Sequence, residues 1–123
     1  MKNVNITTDE ATVLQALAQN WYGCGNSIPK DYGECYTWSE FIKHCFLLDG
    51  MKLPRGKKLS GVCSSLVQKG LCDQWEDEIQ SDSYGSGRTN KMIKKNLIGL
   101  TELGLQVWVD QVYGRDKYEE AIA

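Results

Sequence analysis

The chain has 123 residues, 41% apolar and 24% charged, which fits one ordinary globular domain. A net charge of −2 argues against nucleic-acid binding unless the charges are segregated along the chain. The longest apolar run, Cys45 to Leu48, is too short to cross a membrane, and MKNVNITTDE lacks a secretory apolar stretch, so a cytoplasmic protein with no membrane contact is expected.

Thr7 and Glu10 form a capping-box pattern at a helix start. Ala11, Leu14, Leu17, Ala18 and Trp21 follow at helical spacing, and the breakers Tyr22 to Ser27 end the helix. A loop continues through Pro29 and Gly33. Thr37 and Glu40 make a second capping-box pattern, which predicts a second helix with Trp38, Phe41, Ile42, Cys45 and Phe46 on one face, closed by Asp49-Gly50. After a turn over Met51 to Pro54 comes RGKKLSGVCSSLVQKG, Arg55 to Gly70. Its Leu59, Val62, Cys63, Leu66 and Val67 are spaced as one face of an amphipathic helix. Gly70 stands where a helix C-cap glycine belongs. Leu71 to Trp75 reads as a short strand, residues 76–94 as a polar loop with SDSYGSG at its tip, and Lys95 to Leu100 as the returning strand. Thr101 can cap a last helix that carries Leu103, Leu105, Val107, Trp108, Val109 and Val112. Residues 115–123 read as a polar tail, frayed or disordered.

The charges are segregated along this order. Met51 to Cys72 holds five cations and no anion, and Asp73 to Asp82 holds five anions and no cation. Ser83 to Lys95 then holds four cations and no anion. Two basic blocks thus stand apart in an otherwise acidic chain.

Helix, helix, turn, helix, strand, polar loop, strand, helix is the order of a winged helix-turn-helix domain, an α+β fold with a three-helix core, a two-stranded wing and a C-terminal helix. LSGVCSSLVQKGL, Leu59 to Leu71, resembles the end of a recognition helix entering the wing. LIGLTELG, Leu97 to Gly104, resembles the second wing strand running into the next helix, as in MarR- and PadR-type regulators or a small phage or mobile-element protein of the same fold. The resemblance covers residues 8–113 and makes 1–114 the domain. It implies a DNA-binding transcription regulator, acting on double-stranded DNA as a homodimer. The helix from about 55 to 69 would enter the major groove and a basic wing, about 76–95, would touch backbone or minor groove.

With Leu59 to Val67 against the core, Lys57, Gly61, Ser64 and Gln68 fall on the opposite face. Gln can bond adenine, Lys can reach guanine acceptors, and Ser serves a base edge or a phosphate. The candidate DNA contacts are therefore Arg55, Lys57, Lys58, Ser60, Gly61, Ser64 and Gln68 on the helix, with Tyr84, Arg88, Lys91 and Lys94 on the wing. A basic wet face on a core helix is more often merely solvated, so the rival reading is a winged helix that binds protein, such as a phage-encoded inhibitor or adaptor. The acidic run 73–82 and the aromatics Trp21, Tyr22, Trp38 and Trp108 motivate that rival.

No enzymatic constellation appears. The glycines at 85 and 87 lack the strand-to-helix context of a phosphate loop, and His44 is the only histidine. The five cysteines, 24, 35, 45, 63 and 72, include no CxxC pair, so buried free thiols are expected, with no metal and no cofactor. A metal or redox site from Cys24, Cys35 and His44 has no recognisable spacing.

Overall fold

The computed structural model describes residues 4–20, 27–80 and 92–123. The first helix, α1 (Thr8–Ala18), starts on the expected capping box: Glu10 N–H donates to Thr7 Oγ1 at 3.1 Å and Thr7 N–H to Glu10 Oε1 at 2.8 Å. This helix is the centre of the molecule. Every residue from Thr12 to Asn20 is buried, and even its polar groups are used inside. Gln15 accepts from the Trp108 indole N–H at 2.8 Å and donates to Gln19 at 2.6 Å and to the Phe46 carbonyl at 3.3 Å. Asn20 donates to the Leu17 and Glu34 carbonyls.

The predicted second helix is not an α-helix. Thr37 and Glu40 do not cap anything; residues 36–38 form a strand, β1 (Tyr36–Trp38), and Ser39–His44 a 3₁₀ stretch with no side-chain cap. Tyr, Thr and Trp favour extended backbone, and here a partner strand satisfies their N–H and C=O groups, so a ladder outcompetes the cap. Trp38 and Phe41 stack at 5.0 Å between centroids, Ile42 and Cys45 are buried, and Phe46 is exposed. Thr37 is fully buried, and its Oγ1 has no hydrogen-bond partner.

The stretch Arg55 to Gly70 forms the expected helix, α2 (Gly56–Gln68), with Cys63 and Leu66 buried and Leu59, Val62 and Val67 packed at the core margin. Gly70 (φ 77°) closes it: Gly70 N–H donates to the Val67 carbonyl at 3.0 Å and Leu71 N–H to the Leu66 carbonyl at 2.9 Å. Those two bonds define a Schellman end, and the left-handed φ is why glycine suits the site.

Two strands follow, β2 (Cys72–Gln80) and β3 (Met92–Leu100), antiparallel from Cys72↔Leu100 to Gln80↔Met92. The sheet order is β1-β3-β2, with Thr37 opposite Ile98. The ladder runs well beyond the expected Leu71–Trp75 and Lys95–Leu100. Opposed charges account for part of this, since Asp77 faces Lys95 and Glu78 faces Lys94 across the strands.

At the base of the ribbon the two motifs that suggested the fold meet. Thr101 N–H donates to the Leu71 carbonyl at 3.1 Å, and Thr101 Oγ1–H to the Gly70 carbonyl at 2.6 Å. Thr101 also caps α3 (Glu102–Val107) by accepting from Gly104 N–H at 3.0 Å. A Cβ on Gly104 would lie 1.9 Å from the Leu71 carbonyl oxygen. Helix α3 widens into a π-helical stretch, Trp108–Tyr113, in which buried Trp108 stacks on Tyr113. The expected tail is a fourth helix, α4 (Arg115–Ile122), docked through buried Tyr118, whose hydroxyl donates to the Pro29 carbonyl at 2.6 Å. No helix among the described residues is long and apolar enough to cross a membrane.

Three substitutions probe these elements by urea unfolding. Gly104→Ala forces backbone apart and is expected to cost about 3 kcal/mol or more, whereas Gly61→Ala, with open space around it, should stabilise by about 0.5–1 kcal/mol. Thr37→Val replaces a buried hydroxyl that has no partner and is expected to gain about 1 kcal/mol; a loss of that size would mean the hydroxyl is bonded in solution.

Candidate nucleic-acid interface

Helix α2 has three sides, each in a different environment. Its apolar side packs on the core. Its second side faces the acidic first turn of α1. There Ser65 Oγ–H donates to Glu10 Oε2 at 2.7 Å, Lys69 Nζ donates to Glu10 Oε1 at 2.7 Å, and Lys58 Nζ lies 3.4 Å from Asp9 Oδ2. Lys69 also donates to the Asn5 carbonyl at 2.8 Å, tying the chain ahead of α1 to the end of α2. The third side carries Lys57, Ser60, Gly61, Ser64 and Gln68, all exposed.

Glu10 is the hinge of the second side. It is 2% exposed. Burial alone pushes its carboxyl up, but the hydrogen bonds from Lys69, the Thr7 backbone and Ser65, with the Lys69 charge, outweigh burial and hold it below the ordinary glutamate range. A carboxylate here therefore stays ionised and clamps α2 to α1. Spacing within the sequence offered one sign of Glu10, its capping-box role. Nothing in spacing signalled that its other oxygen would serve Ser65 and Lys69, 55 and 59 positions away.

The candidate residues divide accordingly. Lys57, Ser60, Gly61, Ser64 and Gln68 share the free side. Lys58 lies on the α1 side with an ion pair, although its side chain remains 71% exposed. Arg55 is the N-cap residue of α2 and makes no side-chain cap bond. It lines a surface cleft of about 540 Å³ with Lys52, Leu53, Pro54, Lys58 and Asp9. That cleft gathers three cations and one carboxylate beside the first backbone N–H groups of a 13-residue helix, an environment that suits a phosphate oxygen.

Of the candidate wing contacts, Tyr84, Arg88 and Lys91 lie outside the described residues. Lys94 is on β3, opposite Glu78 in register, and its Nζ is 3.7 Å from Glu76. Lys95 is drawn to the other face, 2.5 Å from Glu40 and 5.5 Å above the Trp38 ring. The described part of the ribbon thus sets Asp73, Glu76, Asp77 and Glu78 against two lysines, and is net acidic.

A second cavity, about 590 Å³, opens between α2, the 3₁₀ stretch and the sheet. Its polar groups are Ser39, Ser60, Ser64, Gln74 and Asn96; its apolar wall includes Ile42, Leu59 and Cys63. Trp75 is 41% exposed, which the reading of Leu71–Trp75 as a plain short strand did not anticipate.

Cys35, Cys45, Cys63 and Cys72 are free and buried; Cys24 lies outside the described residues. Burial pushes the Cys63 and Cys72 thiols up, which keeps them protonated and poorly nucleophilic. His44 is exposed beside Phe41. Among the described residues no group of His, Cys, Asp and Glu is arranged to hold a metal ion. No protein-family model, no curated protein and no solved structure matches this chain.

Glu10 sets the pH response of the clamp. Because its folded pKa lies below the unfolded one, its stabilisation is fully present above the unfolded pKa and is lost as pH falls through the folded value. Glu10→Gln should lower stability at neutral pH by about 1–3 kcal/mol and flatten the pH dependence of unfolding between neutrality and acid. Equal slopes for the two proteins in that window would show that Glu10 is not the titrating group.

Proposed function

We propose that the protein is a double-stranded DNA-binding regulator of winged helix-turn-helix type, with α2 as its reading helix. The observation that carries this is the free side of α2: Lys57, Gly61, Ser64 and Gln68 form one exposed stripe on a helix whose other two sides are fixed to the core and to α1. A reading helix needs that combination, since donors and acceptors discriminate bases only if the helix holds them in place. The β2–β3 ribbon that follows α2 directly supports the wing assignment, and the cationic cleft at Arg55 supplies a phosphate contact at the N-terminal end of the same helix. One such helix spans few base pairs, so the active species in this reading is a homodimer on paired half-sites.

A second reading, a winged helix that binds protein, has its own support. The described wing stem is acidic, and Lys94, the one candidate wing cation described, is shared with Glu76. A duplex backbone would approach that stem against repulsion.

Selection from a random duplex library at physiological salt is expected to enrich a palindrome. Arg55→Glu with Lys57→Glu should abolish that enrichment and reduce the salt slope of binding by about 0.9 per lost phosphate contact. An unchanged affinity and slope for every duplex would remove the DNA reading, and capture of one protein partner by a chain that retains no duplex at low salt would favour the second.

A further inference from the structure

Strand β2 is the outer strand of the sheet on its side, since the order is β1-β3-β2. Its backbone bonds run to β3 from Cys72 to Gln80, and no other described backbone group bonds to it. Glu78 N–H is turned locally onto Asp77 Oδ1 at 3.0 Å. A nine-residue edge with no proline is long by the standard of edges that proteins leave open. The edge is not blunted by a bulge, because its register with β3 is continuous over all nine pairs.

Two further observations say what such an edge can accept. First, its exposed side chains include Asp73, Glu76, Asp77 and Glu78, and only Glu76 has an ion-pair partner among the described residues. A second copy pairing β2 with β2 would set acid against acid, so self-association by this edge is disfavoured. Second, the same strand walls the 590 Å³ cavity at Gln74, with Leu59, Cys63 and Ile42 as its apolar lining. A strand laid along β2 sends alternate side chains to the two faces of the sheet. On the Gln74 face, one of them falls beside that cavity.

We propose that β2 is a docking edge for an extended, basic segment of a partner protein, which adds a fourth strand to the sheet and places one apolar side chain in the cavity between α2 and the sheet. Main-chain hydrogen bonds supply affinity, the acidic stem selects lysine and arginine at the flanking positions, and the cavity selects an apolar residue between them. The proposal supplies the partner chemistry for the protein-binding reading and stands apart from the DNA reading. Ser60 and Ser64 belong both to the cavity wall and to the exposed side of α2. A bound segment would therefore crowd the reading stripe.

The test uses the full chain and a short end-blocked peptide of alternating lysine and valine. Its controls are the same peptide with N-methyl groups on alternate residues and a glutamate-valine peptide. Binding of the lysine-valine peptide should slow amide hydrogen exchange at alternate residues of β2 and shift the amide signals of Leu59 and Cys63. N-methylation, which removes the donors of one edge, should weaken binding at least tenfold, about the loss of two hydrogen bonds. Asp73→Lys with Asp77→Lys, which reverses the charge on the face opposite Gln74 where the peptide lysines fall, should weaken the lysine-valine peptide and admit the glutamate-valine one. If the N-methylated peptide binds as well as its parent, the contact is charge attraction alone; strand addition is then overturned while the protein-binding reading stands. No binding of any peptide, or signal shifts without slowed exchange in β2, also overturns the proposal.

Discussion

The contact that the rest of the molecule depends on is the approach of Gly104 to the carbonyl of Leu71. No side chain fits between them, since a Cβ would stand 1.9 Å from that oxygen. The same carbonyl accepts the Thr101 N–H, and the carbonyl before it accepts the Thr101 hydroxyl. One turn of chain after α2 is thereby bolted to one turn before α3. Because β2 begins at the next residue and β3 ends just before Thr101, this bolt also sets the register of the ribbon: Cys72 must face Leu100, and every later pair follows. Ribbon and helix are thus not independent parts. The direction in which the ribbon leaves the core and the orientation of α2 share one rigid junction.

That junction explains which parts of the fold were legible in the sequence. LVQKGL and LTELG are short, yet each contains the groups that the junction needs. Gly70 takes the left-handed turn, Leu71 brings the carbonyl and a buried side chain, Thr101 brings two hydrogen bonds and a cap, and Gly104 leaves room. Motifs whose residues are demanded by backbone geometry are readable locally. The Thr7–Glu10 capping box is readable for the same reason. The Thr37–Glu40 pattern has the same letters but another outcome, because its backbone groups were competed for by a strand sixty residues away, Ile98 opposite Thr37. Local capping is worth about 1 kcal/mol, which a ladder and the burial of Thr37 overcome even though its hydroxyl is left without a partner. The length of the ribbon was illegible for a related reason. Asp77 and Glu78 favour loops when read alone, and only their register against Lys95 and Lys94 makes them strand residues.

The candidate site was legible in outline and not in its division of labour. The apolar spacing of Leu59 to Val67 gave the buried side of α2, and so gave Lys57, Gly61, Ser64 and Gln68 as exposed. It did not separate Lys58, Ser65 and Lys69 from them, because that depends on where α1 lies. Asp9 and Glu10 reach those three from a capping box more than forty residues upstream.

This partition changes what the charge of α2 means. Arg55 to Gly70 carries four cations in the sequence, yet Lys69 is bound to the buried Glu10 carboxylate and Lys58 is held near the part-exposed Asp9. The field that a polyanion would meet is then concentrated at the N-terminal end of the helix, where Lys52 and Arg55 line one cleft beside a helix start without a side-chain cap and Lys57 is exposed in the first turn, and it fades toward Gln68. The acidic stem of β2 adds to the gradient from the other side. On the proposed DNA reading, a duplex would therefore be steered to α2 by its N-terminal turn, with the neutral Ser64 and Gln68 left for base contacts. On that reading, phosphate contacts would then set the approach and hydrogen bonds to base edges the discrimination.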